Sequence, residues 1–95
     1  MFGLSNRKKE REQMKMLNSI FERSKEFISI DSYNFCIELI DHNEAGIALE
    51  ILCSQIEDDE IKIPKELYLD IKYLLESWSS VHDISYYDIK VSDVS

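Results

Sequence analysis

The chain has 95 residues, of which 44% are hydrophobic and 32% charged, a balance that gives one globular domain burying about 60–65% of its unfolded surface. Its net charge of −8 is unevenly placed: residues 1–30 carry seven basic against four acidic side chains, net +3, while Asp31 onward carries four against fifteen, net −11. So acidic a body repels nucleic acid and draws in a basic partner, and no run approaches the roughly 20 consecutive apolar residues of a membrane span. MFGLSNRKKEREQ at the start lacks a signal peptide's hydrophobic region, so a cytoplasmic protein is expected.

Only two glycines and one proline are present, too few for a hairpin-rich β fold. From Asn6 to about Ile28, Met14, Leu17, Ile20 or Phe21, Ser24 and Phe27 or Ile28 recur at helical spacing. Ser5 or Asn6 is the expected cap. Arg7 to Gln13 are wholly charged or polar, so residues 1–13 are expected to project or fray, with Glu10 and Glu12 solvating the basic side chains around them. Asp31 or Ser32 is the expected cap of a second helix reaching about Asp41, with Tyr33, Phe35 or Cys36, Ile37, Leu39 and Ile40 apolar. Asn43 suits the left-handed residue that ends it.

A third helix is expected from about Glu44 to Ile56. Ala45, Ala48, Leu49, Leu52 and Ile56 lie on one side and Ile47 and Ile51 on the adjoining one, the wide apolar surface of a central element. The unbroken run Glu57, Asp58, Asp59, Glu60 then reads as an interhelical loop. Pro64 pushes Ile63 into extended geometry and opens a fourth helix, whose stripe Leu67, Tyr68, Ile71, Leu74, Leu75 and Trp78 ends near Ser79. Residues 80–95 carry weak order: the alternation of Ile84 and Tyr86, and again of Tyr87, Ile89 and Val91, allows a strand or an extended arm, and a short helical turn from Asp83 is the alternative. The expectation is a single all-α domain over residues 1–95, a small bundle of about four helices with a weakly ordered C-terminal arm.

Little in the chain supports catalysis. His42 and His82 are its only imidazoles, neither at metal-ligand spacing, and Gly3 and Gly46 stand alone, so no phosphate loop is present. An enzyme is not expected, and neither a metal nor another cofactor is. The acidic run fails as a calcium loop, because Lys62 stands where the sixth-position glycine belongs and Tyr68 where the closing Glu belongs. Cys36 and Cys53 lie among apolar neighbours and read as small buried hydrophobes. Two explanations of the run compete: a solvated loop, and a face whose self-repulsion a cationic partner relieves.

The segment His42-Asn43-Glu44-Ala45-Gly46-Ile47-Ala48-Leu49-Glu50-Ile51-Leu52-Cys53, followed by the acidic run and Ile63-Pro64-Lys65-Glu66, resembles the MafI-type immunity proteins and the related immunity proteins of contact-dependent growth inhibition. The likeness covers about Tyr33 to Trp78. It implies a bacterial cytoplasmic antitoxin that neutralises a delivered toxin, commonly a nuclease such as the EndoU type. An acidic protein can occupy the positive cleft of a nuclease without any chemistry of its own. Gly46 is ascribed to close helix packing, and Ala45, Ala48, Leu49, Leu52 and Cys53 to the core. The expected toxin-binding residues are Glu44, Glu50, Glu57, Asp58, Asp59 and Glu60, with Tyr86 and Tyr87 as an aromatic alternative. No nucleic acid or membrane is expected as a partner. The rival reading is a regulatory or adaptor protein whose basic first helix touches nucleic acid or another chain.

Overall fold

A computed structural model describes residues 3–78 and 82–92 of the chain. Four helices, α1 (Gly3–Ser24), α2 (Ile30–Asp41), α3 (Ala45–Asp58) and α4 (Lys65–Ser77), make up an all-α bundle. Strand β1 (Lys62–Ile63) precedes α4, and after it come one turn of 3-10 helix (Ile84–Tyr86) and strand β2 (Lys90–Val91). Residues 1–2, 79–81 and 93–95, which include parts of the expected projecting segment and tail and the expected end of the fourth helix, lie outside the described residues.

Helix α1 already begins at Gly3, so Ser5 and Asn6 fall inside it rather than capping it. Arg7 to Glu12 are all exposed, and among the residues whose burial is described the first buried side chain is the polar Gln13, 8% exposed. Its Oε1 accepts the indole N–H of the half-buried Trp78 at 2.9 Å. Gln13 thus belongs to the anchored part of the helix, not to its free end. Ten residues on, the Arg23 guanidinium reaches the Asp70 carboxylate at 2.6 Å, which makes α1 and α4 antiparallel neighbours. The helix stops at Ser24, whose hydroxyl donates back to the Ile20 carbonyl at 2.7 Å. Ser29, rather than the Asp31 or Ser32 expected from sequence, accepts the Ser32 N–H and opens α2.

Helix α3 is central: Ala48, Leu49, Leu52, Cys53 and Ile56 are fully buried, against Leu17, Ile20 and Phe21 of α1, Cys36 of α2 and Leu67, Ile71, Leu74 and Leu75 of α4. Each large side chain in this cluster contributes about 1.5–3 kcal/mol of transfer free energy. Both cysteines are free thiols in the core, and Cys36 Sγ lies 3.6 Å from the Ala48 carbonyl. Burial pushes the Cys36 thiol up to about 11. Met14, Phe35 and Ile47, which sequence spacing put on apolar helix faces, are exposed. Gly46 is not a close-packing residue either, since a Cβ built there meets nothing within 4 Å.

The arm has little regular structure, yet it is docked. Asp83 Oδ1 accepts the Ser85 N–H at 3.0 Å to cap the 3-10 turn, and Ile84 and Tyr87 enter the core. Strand β2 pairs in parallel with β1, Lys62 opposite Lys90 and Ile63 opposite Val91, and Ser92 N–H donates to the Ile63 carbonyl at 2.8 Å. Parallel pairing needs a long crossover, which α4 supplies. The helical turn from Asp83 forms, so Ile84 and Tyr86 lie in it rather than in a strand, and the strand is confined to Lys90–Val91. Among the described residues no helix is long and apolar enough to cross a membrane.

Candidate functional site

Glu57 and Asp58 are not loop residues: α3 continues through them, and Asp59 is its C-cap. The helix ends in a Schellman motif, with Ile61 N–H bonded to the Ile56 carbonyl at 3.0 Å and Glu60 N–H to the Glu57 carbonyl at 3.1 Å. That motif requires a left-handed residue, ordinarily Gly or Asn, at the position after the cap. Helix α2 obeys the rule, with Asn43 at φ 62°, whereas α3 places Glu60 there at φ 51°. Left-handed backbone costs a residue with a Cβ about 1–2 kcal/mol.

The same acidic run sits on the negative end of the α3 dipole, where a carboxylate is disfavoured by about 0.3–1 kcal/mol, and the last turn has no basic residue. Among the described residues neither Asp58 nor Glu60 makes an ion pair. Asp59 accepts the Gln55 amide at 2.7 Å, and Gln55 in turn accepts the Ser32 hydroxyl at 2.9 Å. Glu57 accepts the Asp88 backbone N–H at 3.3 Å, which fastens the arm beside the acidic helix end. Lys90, the basic residue nearest to that bond in sequence, is turned to Asp88 at 3.2 Å.

Beside this end runs an open groove of about 250 Å³ between α3 and the arm, lined by Ile47, Glu50, Ile51, Ser54, His82, Tyr86 and Tyr87. The α3 residues share one face because they are spaced three or four apart. His82 stacks on Tyr86 with ring centroids 3.6 Å apart, and Tyr87 stands at 86° to Tyr86 with centroids 5.1 Å apart. Tyr86 is 61% exposed and Tyr87 only 6%. Burial pushes the Tyr87 hydroxyl up to about 12, with repulsion from Cys53, once that thiol is deprotonated, and from the Glu50 carboxylate adding to it. Burial and the Glu50 carboxylate likewise push the Cys53 thiol up to about 12.

The fold therefore brings together Glu50, Glu57, Tyr86 and Tyr87, with Asp58, Asp59 and Glu60 on the adjoining exposed helix end. Tyr87 is a core residue with an edge on the groove, so it presents little surface of its own. Glu44 is exposed but stands at the opposite end of the 14-residue α3, about 20 Å along the axis from the acidic end. Sequence reasoning did not place Ile47, Ser54 or His82 in a site. The signal available for His82 was its spacing of four from Tyr86 across the Asp83-capped turn.

His42 caps α2, and its Nδ1 lies 2.8 Å from the Glu38 carbonyl oxygen, which can only accept, so Nδ1 carries the proton. It shares a shallow groove with Phe35, Glu38 and Leu39. Among the described residues no three His, Cys, Asp or Glu side chains converge to hold a metal ion. Comparison with protein-family models, curated proteins and solved structures yields no match.

Proposed function

We propose that the protein is an immunity protein, a bacterial cytoplasmic antitoxin that binds a delivered basic toxin and blocks its cleft, with an EndoU-type ribonuclease as the toxin class that the family resemblance implies. The observation that carries the proposal is the acidic end of α3. Two separate local penalties coincide there, a left-handed Glu60 and carboxylates on the negative end of a helix, and among the described residues neither Asp58 nor Glu60 makes an ion pair. Local rules are broken together where a site is kept for another purpose. A cationic partner would offset all the charge terms at once and would be steered by the net −11 of the chain from Asp31 onward. The hydrogen bond from Asp88 to Glu57 holds the exposed Tyr86 nearby as an aromatic anchor.

The test is co-expression of the chain with the toxin domain encoded beside it. Asp58→Lys combined with Asp59→Lys is expected to keep helical content and lose cellular protection, and the wild-type association rate is expected to fall steeply with salt while dissociation changes little. Full protection by the charge-reversed variant sinks the proposal. A second reading, an adaptor using α1, is favoured by Arg7, Lys8, Lys9, Arg11 and Lys15, all exposed and without an ion pair among the described residues. Deleting residues 1–12 keeps Gln13 on Trp78 and separates the two: the antitoxin retains protection, whereas the adaptor loses its partner.

A further inference from the structure

We propose that the protein self-associates head to tail, the basic end of α1 in one copy docking on the acidic end of α3 in the next. The contact shares the acidic end with the antitoxin reading but does not rest on that reading; where both hold, toxin and second copy compete for one surface.

Arg7, Lys8, Arg11 and Lys15 are spaced three or four apart and form one exposed stripe on α1, with Glu10 and Glu12 flanking it on either side. Residues 7–15 carry five basic and two acidic side chains, and among the described residues none of the five basic ones makes an ion pair. Helix α1 is anchored to α4 by the Gln13–Trp78 hydrogen bond and the Arg23–Asp70 ion pair, so Arg7, Lys8 and Arg11 stand beyond the first anchor.

Those two contacts also fix the polarity of the molecule. They lay α1 antiparallel to α4, which puts the basic end of α1 beyond the C-terminal end of α4. Glu57 to Glu60 lead through β1 into the N-terminal end of α4, so the acidic end stands at the other pole of a molecule 44 Å long. The 13 residues of α4 alone hold the poles about 20 Å apart. At physiological ionic strength the Debye length is about 8 Å, so the two ends do not neutralise one another within one copy. The same screening limits the repulsion between two copies of net charge −8 to groups close to the contact, where the signs are opposite.

An end-to-end contact sets the cations of one α1 on the negative pole of the next α3, whose last turn has no basic residue of its own. Met14, 36% exposed, borders the stripe and gives it an apolar edge. Because the two patches differ, the interface is heterologous, and it extends into a chain or closes into a ring. A two-fold dimer through α1 would instead oppose like charges. Nucleic acid on the stripe would face the net −11 of the chain from Asp31 onward.

The test is sedimentation velocity of the full chain over a concentration series at about 0.15 M and about 1 M salt, where the Debye length falls to about 3 Å. The sedimentation coefficient is expected to rise with concentration at the lower salt and to stay flat at the higher. Two charge-reversed variants, Arg7→Glu with Lys8→Glu and Arg11→Glu, and Asp58→Lys with Asp59→Lys, change only exposed positions and are expected to keep helical content. Each alone should sediment as a monomer, and an equimolar mixture should associate again, because each variant retains the complement of the other. A wild type that is monomeric throughout, an α1 variant that still associates, or a mixture that stays monomeric overturns the proposal. So does a single-stranded RNA oligonucleotide that binds a monomeric wild type and not the α1 variant, which would give the stripe to nucleic acid. Self-association without cellular protection sinks only the antitoxin reading, and protection by a strictly monomeric protein sinks only this one.

Discussion

Glu60 is the most informative single position for stability, because two separable penalties meet on it. Its backbone is left-handed at φ 51° in a Schellman motif, and its carboxylate lies just beyond the negative end of α3. Glu60→Gln removes the charge alone and is expected to add about 0.3–1 kcal/mol. Glu60→Gly also removes the left-handed penalty of about 1–2 kcal/mol, less about 0.5–1 kcal/mol for the greater freedom of glycine in the unfolded chain. The net expectation for Gly is about 0.3–2.5 kcal/mol, or roughly 1–20 °C in Tm for a domain of this size. Glu60→Asn should match or exceed Gly, since asparagine tolerates the conformation without the entropic loss. Urea unfolding followed by circular dichroism gives the comparison, and unchanged m-values make it one of stability. A Gly variant no more stable than Gln would show that backbone geometry costs nothing here, and a destabilised Gln variant would show that the charge is not unfavourable.

Gln13→Ala should cost about 1–3 kcal/mol by stranding the Trp78 indole N–H, read by chemical denaturation and by a shift in Trp78 fluorescence; no change in either would remove Gln13 from the anchored part of α1. Leu49→Ala and Leu52→Ala should each cost about 2–5 kcal/mol, and an unaltered urea midpoint would show that α3 is not central. Gly46→Ala should instead stabilise, by up to about 1 kcal/mol, because the new methyl meets no neighbour; a loss of stability in thermal unfolding would restore a packing role. Burial raises the folded-state values of Cys36, Cys53 and Tyr87 to about 11, 12 and 12 from ordinary values of 9.0, 9.0 and 10.0. The folded state then holds protons that the unfolded chain releases, so stability is intact below pH 9 and falls as pH rises from about 9 to 12. In Tyr87→Phe the decline above pH 10 should be shallower, and an unchanged slope there would count against it.

Helix order and most of the core were legible from sequence because their signals are local. The 3.6-residue spacing of Leu17, Ile20, Phe21 and Ser24, the run Ala48 to Ile56, Asn43 after α2 and Pro64 before α4 each act within one or two turns of their own position. Charge asymmetry was legible too, since it needs only counting. The site was less so. Composition marks Glu57 to Glu60 as acidic, but only the length of α3 puts them on its negative end, turns Glu60 left-handed and leaves Glu44 about 20 Å away. Periodicity likewise cannot tell which adjacent tyrosine points inward: Tyr87 is buried and Tyr86 exposed because β2 lies beside β1, which fixes the rotation of the arm. Gln13 meets Trp78 across 65 positions of sequence, and His82, Tyr86 and Glu50 meet only once α4 has carried the chain back to β1. The sequence by itself determined the order of the helices and the charge, but not the N-caps of α1 and α2. Tertiary structure alone decided which of those charges and rings share a surface, because contacts between distant segments depend on packing geometry that no local pattern encodes.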